Sequence, residues 1–442
     1  MQTVSLICIL IALAAMMYFG YKGVPIILVA PLCGLFVAIT SGLDLVEAMG
    51  TTYLGGFGQW VGNYFFTLFT GAIFGCVMAD AGAARSIGLA MSRIARKFKG
   101  HEQIAAVWCL PILAFVLSYG GISVFVCFFT VIAIAKELFE EMEIPWRMYG
   151  VNSLGVACIA LTMAPGSPSV NNAIAGQILG TTPMAAPGLS LIAVALACVI
   201  GHIYISWELR TARKNGERFL PTGAEIVKSD LVKTDANFKE MSLLMALVPS
   251  IVLIVCLNVI GMKVYLASLV AIIVAYVLYW KRLSDKIGTA AQGASRAVTS
   301  ACNVAIVVGF GTVVASAPGY QLIINALSRI PDSLGYFQVF IAVNLAAGVA
   351  GSSSGGLSIA LNSLGDRFIH VLNLNPAAVH RIATISSGGL DSLPCNGTVL
   401  NELAMAKLKP SIGYRPMFVC TVITPMIVGA ILCLLTSFIG VF

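Results

Sequence analysis

The chain has 442 residues, of which 59% are hydrophobic and only 10% charged, with a mean hydropathy of +0.94 and a formal net charge of +7. Ordinary soluble domains carry about 25% charged residues, so this composition excludes a soluble fold and predicts an all-α polytopic membrane protein built from ~20-residue apolar spans in a lipid bilayer. The basic residues fall in a few inter-span loops, as cytoplasmic loops do, so the positive charge reports membrane topology and not nucleic-acid binding.

The apolar run 3–19 follows Met1-Gln2-Thr3, which has neither a basic leader nor a small-residue cleavage site, so a retained first helix is expected and not a removed signal peptide. A second helix is expected at 24–41. An acidic loop (Asp44, Glu47) precedes a span near 60–80 that ends at Asp80, and the segment 85–101 is basic. Two apolar arms, within 103–136, flank Gly120 and Gly121. Each has about 15 residues, or about 22 Å of helix, which suits a re-entrant hairpin better than a crossing. Residues 148–180 form a span broken at Pro165, Gly166 and Pro168, and a full helix is expected at 188–206. The polar stretch 207–240 has no apolar periodicity and reads as a cytoplasmic linker between halves 1–206 and 241–442. Beyond it come helices near 241–261, 264–280 and 298–317, a hairpin at 337–369, a broken span at 377–406 and a last helix at 416–440.

The second half repeats the first in its letters. At an offset of 236, residues 74–94 match 310–330 at ten of 21 positions, among them Ser92-Arg93-Ile94 and Ser328-Arg329-Ile330. Near the same offset Gly120-Gly121-Ile122-Ser123 meets Gly355-Gly356-Leu357-Ser358, and after a deletion Ser167 and Asn171 meet Ser392 and Asn396. Loop charge sets the relative orientation. The loop after the third helix is basic in the first copy (93–99) and holds only Arg329 in the second. The loop before it is acidic in the first and basic in the second (Lys281, Arg282, Lys286). After the broken span, 181–188 is uncharged where 405–415 carries Lys407, Lys409 and Arg415. With basic loops inside, the two copies have inverted topology, and the hairpin tips are expected to meet near the midplane.

Irregular polar chain at membrane depth survives only when buried in protein or lining a cavity. The polar interruptions are therefore the candidate substrate site: Gly120, Gly121, Ser123, Ser167, Ser169, Asn171, Asn172, Ser352, Ser353, Ser354, Gly355, Gly356, Ser358, Ser392, Asn396 and Thr398. Half-helix N-termini there offer N–H groups and positive dipole to an anion. Close packing between helices is the alternative for any single Ser or Gly. Asp391 and Asp80 are the candidate ion-coupling residues, carrying H⁺ or ligating Na⁺, because an ionised acid within the bilayer is costly. Asp391 could equally cap the next half-helix, Asp80 could pair with Arg85, and Glu402 with Lys407. His101, His370 and His380 are expected in surface turns and His202 near a helix end, with no metal site. Twelve scattered cysteines form no CxxC or His/Cys cluster and read as small core residues. No nucleophile–base pair and no phosphate-binding loop points to an enzyme or a cofactor.

Gly71-Ala72-Ile73-Phe74-Gly75 through Ala79-Asp80-Ala81-Gly82-Ala83-Ala84-Arg85, with Pro165-Gly166-Ser167-Pro168-Ser169, Gly351-Ser352-Ser353-Ser354 and Asn396-Gly397, resembles the gluconate permease (GntP) family of carboxylate symporters. The likeness runs over most of the chain. It implies proton-coupled import of a small hydroxy- or sugar-acid anion across the cytoplasmic (inner) membrane, by an elevator motion in a homodimer. Two features depart from the family's pattern. Ser167/Pro168 and Pro394 stand where each family break carries a histidine, and Asp391 is an acid at a usually apolar place. Both favour a smaller acid such as 3-hydroxybutyrate over gluconate. The other classes considered are a cation exchanger using Asp80 and Asp391 alone, and a passive channel.

Overall fold

The computed structural model describes residues 2–119, 124–167, 169–228, 240–327, 331 and 334–440. Among them every regular element is helical. Among the described residues, six helices are long and apolar enough to cross a membrane: Gln2–Tyr21, Glu47–Asp80, Glu102–Tyr119, Pro187–Lys214, Lys286–Ser316 and Pro410–Phe438. The chain is an all-α, multi-pass membrane protein.

In the first copy, α1 (Gln2–Tyr21) and α2 (Ile26–Thr40) lead into a wide turn at Glu47–Tyr53 and the long α3 (Leu54–Asp80). The short α4 (Ala83–Ala95) follows, and then the hairpin arms α5 (Glu102–Tyr119) and α6 (Val124–Glu141). Helical turns at Trp146–Asn152 and Leu154–Met163 form the first half of the broken span, α7 (Val170–Leu179) the second, and α8 (Pro187–Lys214) closes the copy. After the short α9 (Ala224–Lys228) the plan repeats. The elements are α10 (Leu243–Asn258), α11 (Val264–Tyr279), α12 (Lys286–Ser316), α13 (Pro318–Leu327), hairpin arms α14 (Gly335–Ala350) and α15 (Ser353–Asp366), half-helices α16 (Pro376–Ser387) and α17 (Gly397–Met405), and finally α18 (Pro410–Phe418) and α19 (Thr424–Ile439).

The equivalent long helices α3 and α12 pack directly together and run antiparallel. A Cβ added to Gly56 would lie 2.5 Å from Thr312, and one on Gly293 would lie 2.6 Å from the Ile73 backbone. The start of α3 thus meets the end of α12, and the end of α3 meets the start of α12. Small residues permit this close crossing, which gains packing that apolar side chains alone would not give between lipid-bathed helices. Two equivalent spans that cross antiparallel carry opposite topology, so the inverted repeat is a property of the fold. The flanking helices obey the same two-fold: α2 packs on α12 as α11 packs on α3.

Three readings of the sequence need revision. The first hairpin's arms have 18 residues each, not about 15, so α5 spans about 27 Å; its tip, 120–123, lies outside the described residues. Within the stretch 207–240, residues 207–228 are ordered into structure. There α8 continues to Lys214, Phe219 stacks edge-on against Trp146 at 6.0 Å, and Arg147 donates to Glu208 and, at 2.7 Å, to Glu217. Charge pairing and one aromatic anchor this segment, and neither leaves an apolar period in the letters. His380, expected in a surface turn, is fully buried in α16, because α16 begins at Pro376 with Asn375 as its cap.

Candidate functional site

Both breaks and the tip of the second hairpin are closed by their own side chains. Ser169 caps α7, its Oγ accepting from the Asn172 N–H at 3.2 Å. Ser352 caps α15 by accepting from Gly355 N–H at 3.2 Å. Asn396 caps α17, its Oδ1 accepting from the Thr398 and Val399 N–H groups at 2.7 and 3.1 Å. The Asn396 side chain also donates to the Gly351 carbonyl at 3.0 Å, tying the second break to the tip of the second hairpin. The first copy has its own such tie, from Tyr119 Oη to the Pro165 carbonyl at 2.9 Å.

These ends converge on one cavity of about 340 Å³. The first turns of α7 (Val170, Asn171), α15 (Ser353, Ser354) and α17 (Gly397, Thr398) all line it, and an α-helix leaves its first N–H groups without intrahelical partners. Ser118, Ser167, Ser169, Ser352, Ser392 and Asn396 add to the polar wall. Two carboxyl side chains, Asp391 and Glu402, also reach it, and no Lys, Arg or His is among the described residues that line it. Asp391 Oδ1 accepts from Ser392 Oγ at 2.9 Å. Asp391 therefore does not cap a half-helix; Asn396 does.

Of the residues singled out from the sequence, Ser167, Ser169, Asn171, Ser352, Ser353, Ser354, Ser392, Asn396, Thr398 and Asp391 come together at this cavity. Four do not line it. Asn172 points away, its Oδ1 meeting His380 Nε2 at 3.0 Å and accepting from Arg381 Nη1 at 3.2 Å. Gly355 lies beneath the cap made by Ser352. Gly356 is where α15 presses on the Ala346–Ala347 backbone, and Ser358 accepts from Asn362 at 3.2 Å. Asp80 is also elsewhere: it accepts from Ser284 N–H and Oγ (3.1 and 2.6 Å) and from Thr289 Oγ1 (3.0 Å), fastening the start of α12. Arg85, its expected partner, pairs with Glu137 at 3.3 Å. Gly120, Gly121 and Ser123 lie outside the described residues.

Glu402, which the sequence paired with Lys407 and left out of the site, is instead buried and accepts from Asn152 Nδ2 at 2.8 Å and from Ser153 Oγ at 3.1 Å. The sequence reading missed a polar stripe on α3, Trp60, Asn63, Tyr64 and Thr67, all lining the cavity. Their i, i+3, i+4, i+7 spacing on an otherwise apolar span was the available signal.

The contacts between the broken spans are crosswise. Asn152 and Ser153 in the first half of one span hold Glu402 in the second half of the other. Arg381 and His380 in the first half of the latter hold Asn172 in the second half of the former. Arg381 is fully buried and further donates to the Pro183 and Ala185 carbonyls at 3.0 and 3.2 Å.

No family model matches the chain. It is 28% identical to an uncharacterized transporter, YxjC, of Bacillus subtilis (strain 168), over 97% of this chain and 98% of that one. Among solved structures it is similar to the YdaH transporter of Alcanivorax borkumensis, with 12% identity, coverage of 90% of each chain and a TM-score of 0.38.

Proposed function

We propose that the chain is a secondary active transporter that imports a small organic anion by cation symport, with H⁺ as the coupling ion and Na⁺ as the alternative. The observation that carries this reading is the charge balance of the cavity. Each helix N-terminus is equivalent to roughly +0.5 charge, so α7, α15 and α17 together offer about +1.5. That suffices for one carboxylate but not for a substrate carboxylate together with ionised Asp391 and Glu402. No basic side chain among the described lining residues makes up the difference. The anion therefore binds only when the two acids carry a proton or a cation, and that requirement links the two fluxes.

Serine and asparagine hydroxyl and amide groups supply the neutral hydrogen bonds a hydroxy-acid needs, without fixing a permanent charge in the membrane. The full-length likeness to a protein named as a transporter supports the class. The resemblance to gluconate permeases supports a hydroxy- or sugar acid, with 3-hydroxybutyrate favoured over gluconate by the acid at Asp391. Alternating access is then a movement of the hairpins and broken spans against the α3–α12 pair, in the cytoplasmic membrane.

Proteoliposomes test the reading. Labelled 3-hydroxybutyrate or gluconate should accumulate against its gradient when a pH or Na⁺ gradient is imposed. Cation flux with no requirement for an anion would replace this reading with a cation exchanger, and downhill flux indifferent to either gradient would replace it with a channel.

A further inference from the structure

A second cavity, of about 560 Å³, lies on the side of the basic loops. Its α12 wall includes Arg296, Thr299, Ser300 and Asn303 beyond Gln292 and Ser295, and its far rim holds Lys407 just past α17 and Lys228 on α9. At the repeat offset of 236 those four α12 positions are the equivalents of Trp60, Asn63, Tyr64 and Thr67, the α3 stripe on the first cavity. Both helices are unbroken through these windows, so the correspondence has no room to slip. Because α3 and α12 cross antiparallel, equivalent stripes face opposite membrane sides. The second cavity is thus the two-fold counterpart of the first one's α3 side. The two are divided where α17 begins: a Cβ on Gly397 would lie 2.9 Å from Val304 Cα and 3.0 Å from the Asn303 carbonyl.

The counterparts differ in charge. Where the outer stripe has Trp60, the inner one has Arg296. Its Nη1 donates to the Cys76 thiol at 3.1 Å, and no carboxylate bonds it among the described contacts. Of the four charged groups on the wall, Glu225 is taken by Lys228 at 3.2 Å, leaving Arg296 and Lys407 uncompensated. A half-buried guanidinium lining a cavity within a span, unpaired by an acid, points to a function before a structural role.

We propose that Arg296 and Lys407 form a second anion site in the cytoplasmic vestibule, which takes the substrate carboxylate by charge after it leaves the cavity of Asp391 and Glu402. This rests on the transport reading. Arg296 offers a planar fork to a carboxylate and Lys407 a point charge. Facing water, the site is screened by salt, so it holds the anion weakly and lets it go.

Thiol labelling at Thr299→Cys, an exposed position on this wall, tests the site without requiring transport. The purified full chain is treated with anionic sulfonatoethyl or cationic trimethylammonioethyl methanethiosulfonate, and the modified position is read by peptide mass spectrometry, so the native cysteines stay. The anionic reagent should react faster, by about tenfold relative to its reactivity with free cysteine. That preference should fall towards the free-cysteine value with Arg296→Gln plus Lys407→Gln, and should shrink when NaCl is raised from about 50 to 500 mM. Added 3-hydroxybutyrate should slow labelling with Arg296 and Lys407 present and not in the double variant. No charge preference in T299C, or a preference indifferent both to salt and to the substitutions, overturns the proposal; the salt series decides it should the double variant not fold. Charge preference in a chain that accumulates no anion would instead sink the transport reading and leave this site standing as an anion site.

Discussion

Asn152 donates a hydrogen bond of 2.8 Å to Glu402, 250 positions later, joining the first half of one broken span to the second half of the other. Glu402 is 2% exposed, and its described partners are Asn152 and Ser153, both neutral. A buried carboxyl with neutral donors is stable only while its charge is neutralised or solvated, and the cavity beside it is where a proton or cation would arrive. Glu402→Gln keeps the shape and the acceptor while removing the titration. The expected result is loss of concentrative uptake with counterflow exchange of labelled for unlabelled anion retained. Measuring both in the same proteoliposomes checks it, and uptake still driven by the pH gradient would remove Glu402 from the coupling.

The hydropathy and the repeat already carried the architecture in the letters: Ser92-Arg93-Ile94 against Ser328-Arg329-Ile330 marks the duplication, and the loop charges its inversion. The breaks were equally legible, because glycine, proline and serine inside apolar flanks have few other uses at that depth. What the letters did not carry was direction. Asn171 and Asn172 are adjacent, and only helix geometry sends the first to the cavity and the second to Arg381 and His380. Glu402 was hidden because Lys407 stands five residues on and offers a local explanation, whereas its true partners are far away in the chain. Asp80 shows the reverse error: an acid at the end of a span looked functional and instead fastens Ser284 and Thr289.

Asn171 and Asn396 each line the cavity and each make one tie to a neighbouring wall, to Ser387 Oγ and to the Gly351 carbonyl, both at 3.0 Å. Alanine at Asn396 also removes a helix cap, a cost of about 1 kcal/mol, too small to unfold the chain. Asn171→Ala and Asn396→Ala are therefore expected to express and fold, and to lose uptake. Wild-type uptake in both would show that neither reaches the substrate.

Asn172 should behave differently from its neighbour. Its amide oxygen takes bonds from two buried groups of α16, so Asn172→Ala leaves Nη1 of the fully buried Arg381 only the long contact of 3.5 Å to the Thr162 carbonyl. Stranding a buried donor costs about 1–3 kcal/mol, more when it is charged. The thermal midpoint of Asn172→Ala in detergent should fall clearly below that of Asn171→Ala. Equal midpoints would mean that the Thr162, Pro183 and Ala185 carbonyls hold Arg381 without Asn172.

On the basic side, Arg147 fastens the first broken span to the end of α8 through Glu208, which is fully buried, and to the chain beyond through Glu217 at 2.7 Å. Breaking a buried pair from one side costs about 3–5 kcal/mol because the other charge stays behind, and Glu208 would keep only the longer pair with Arg415 at 3.9 Å. Arg147→Gln should therefore destabilise the chain severely, and Arg147→Gln with Glu208→Gln less than the sum of the two, a coupling that a double-mutant cycle reads directly. The Arg147 hydrogen bond holds the Glu217 carboxyl below the usual glutamate range. A carboxyl whose pKa is depressed by folding stabilises the chain above its unfolded value, and that stability is lost as the pH falls through the folded one. The stability advantage of the wild type over Arg147→Gln should accordingly shrink as the pH falls below the glutamate range, and the two pH profiles should run parallel above it. Identical acid limbs would mean that Glu217 keeps its charge without Arg147.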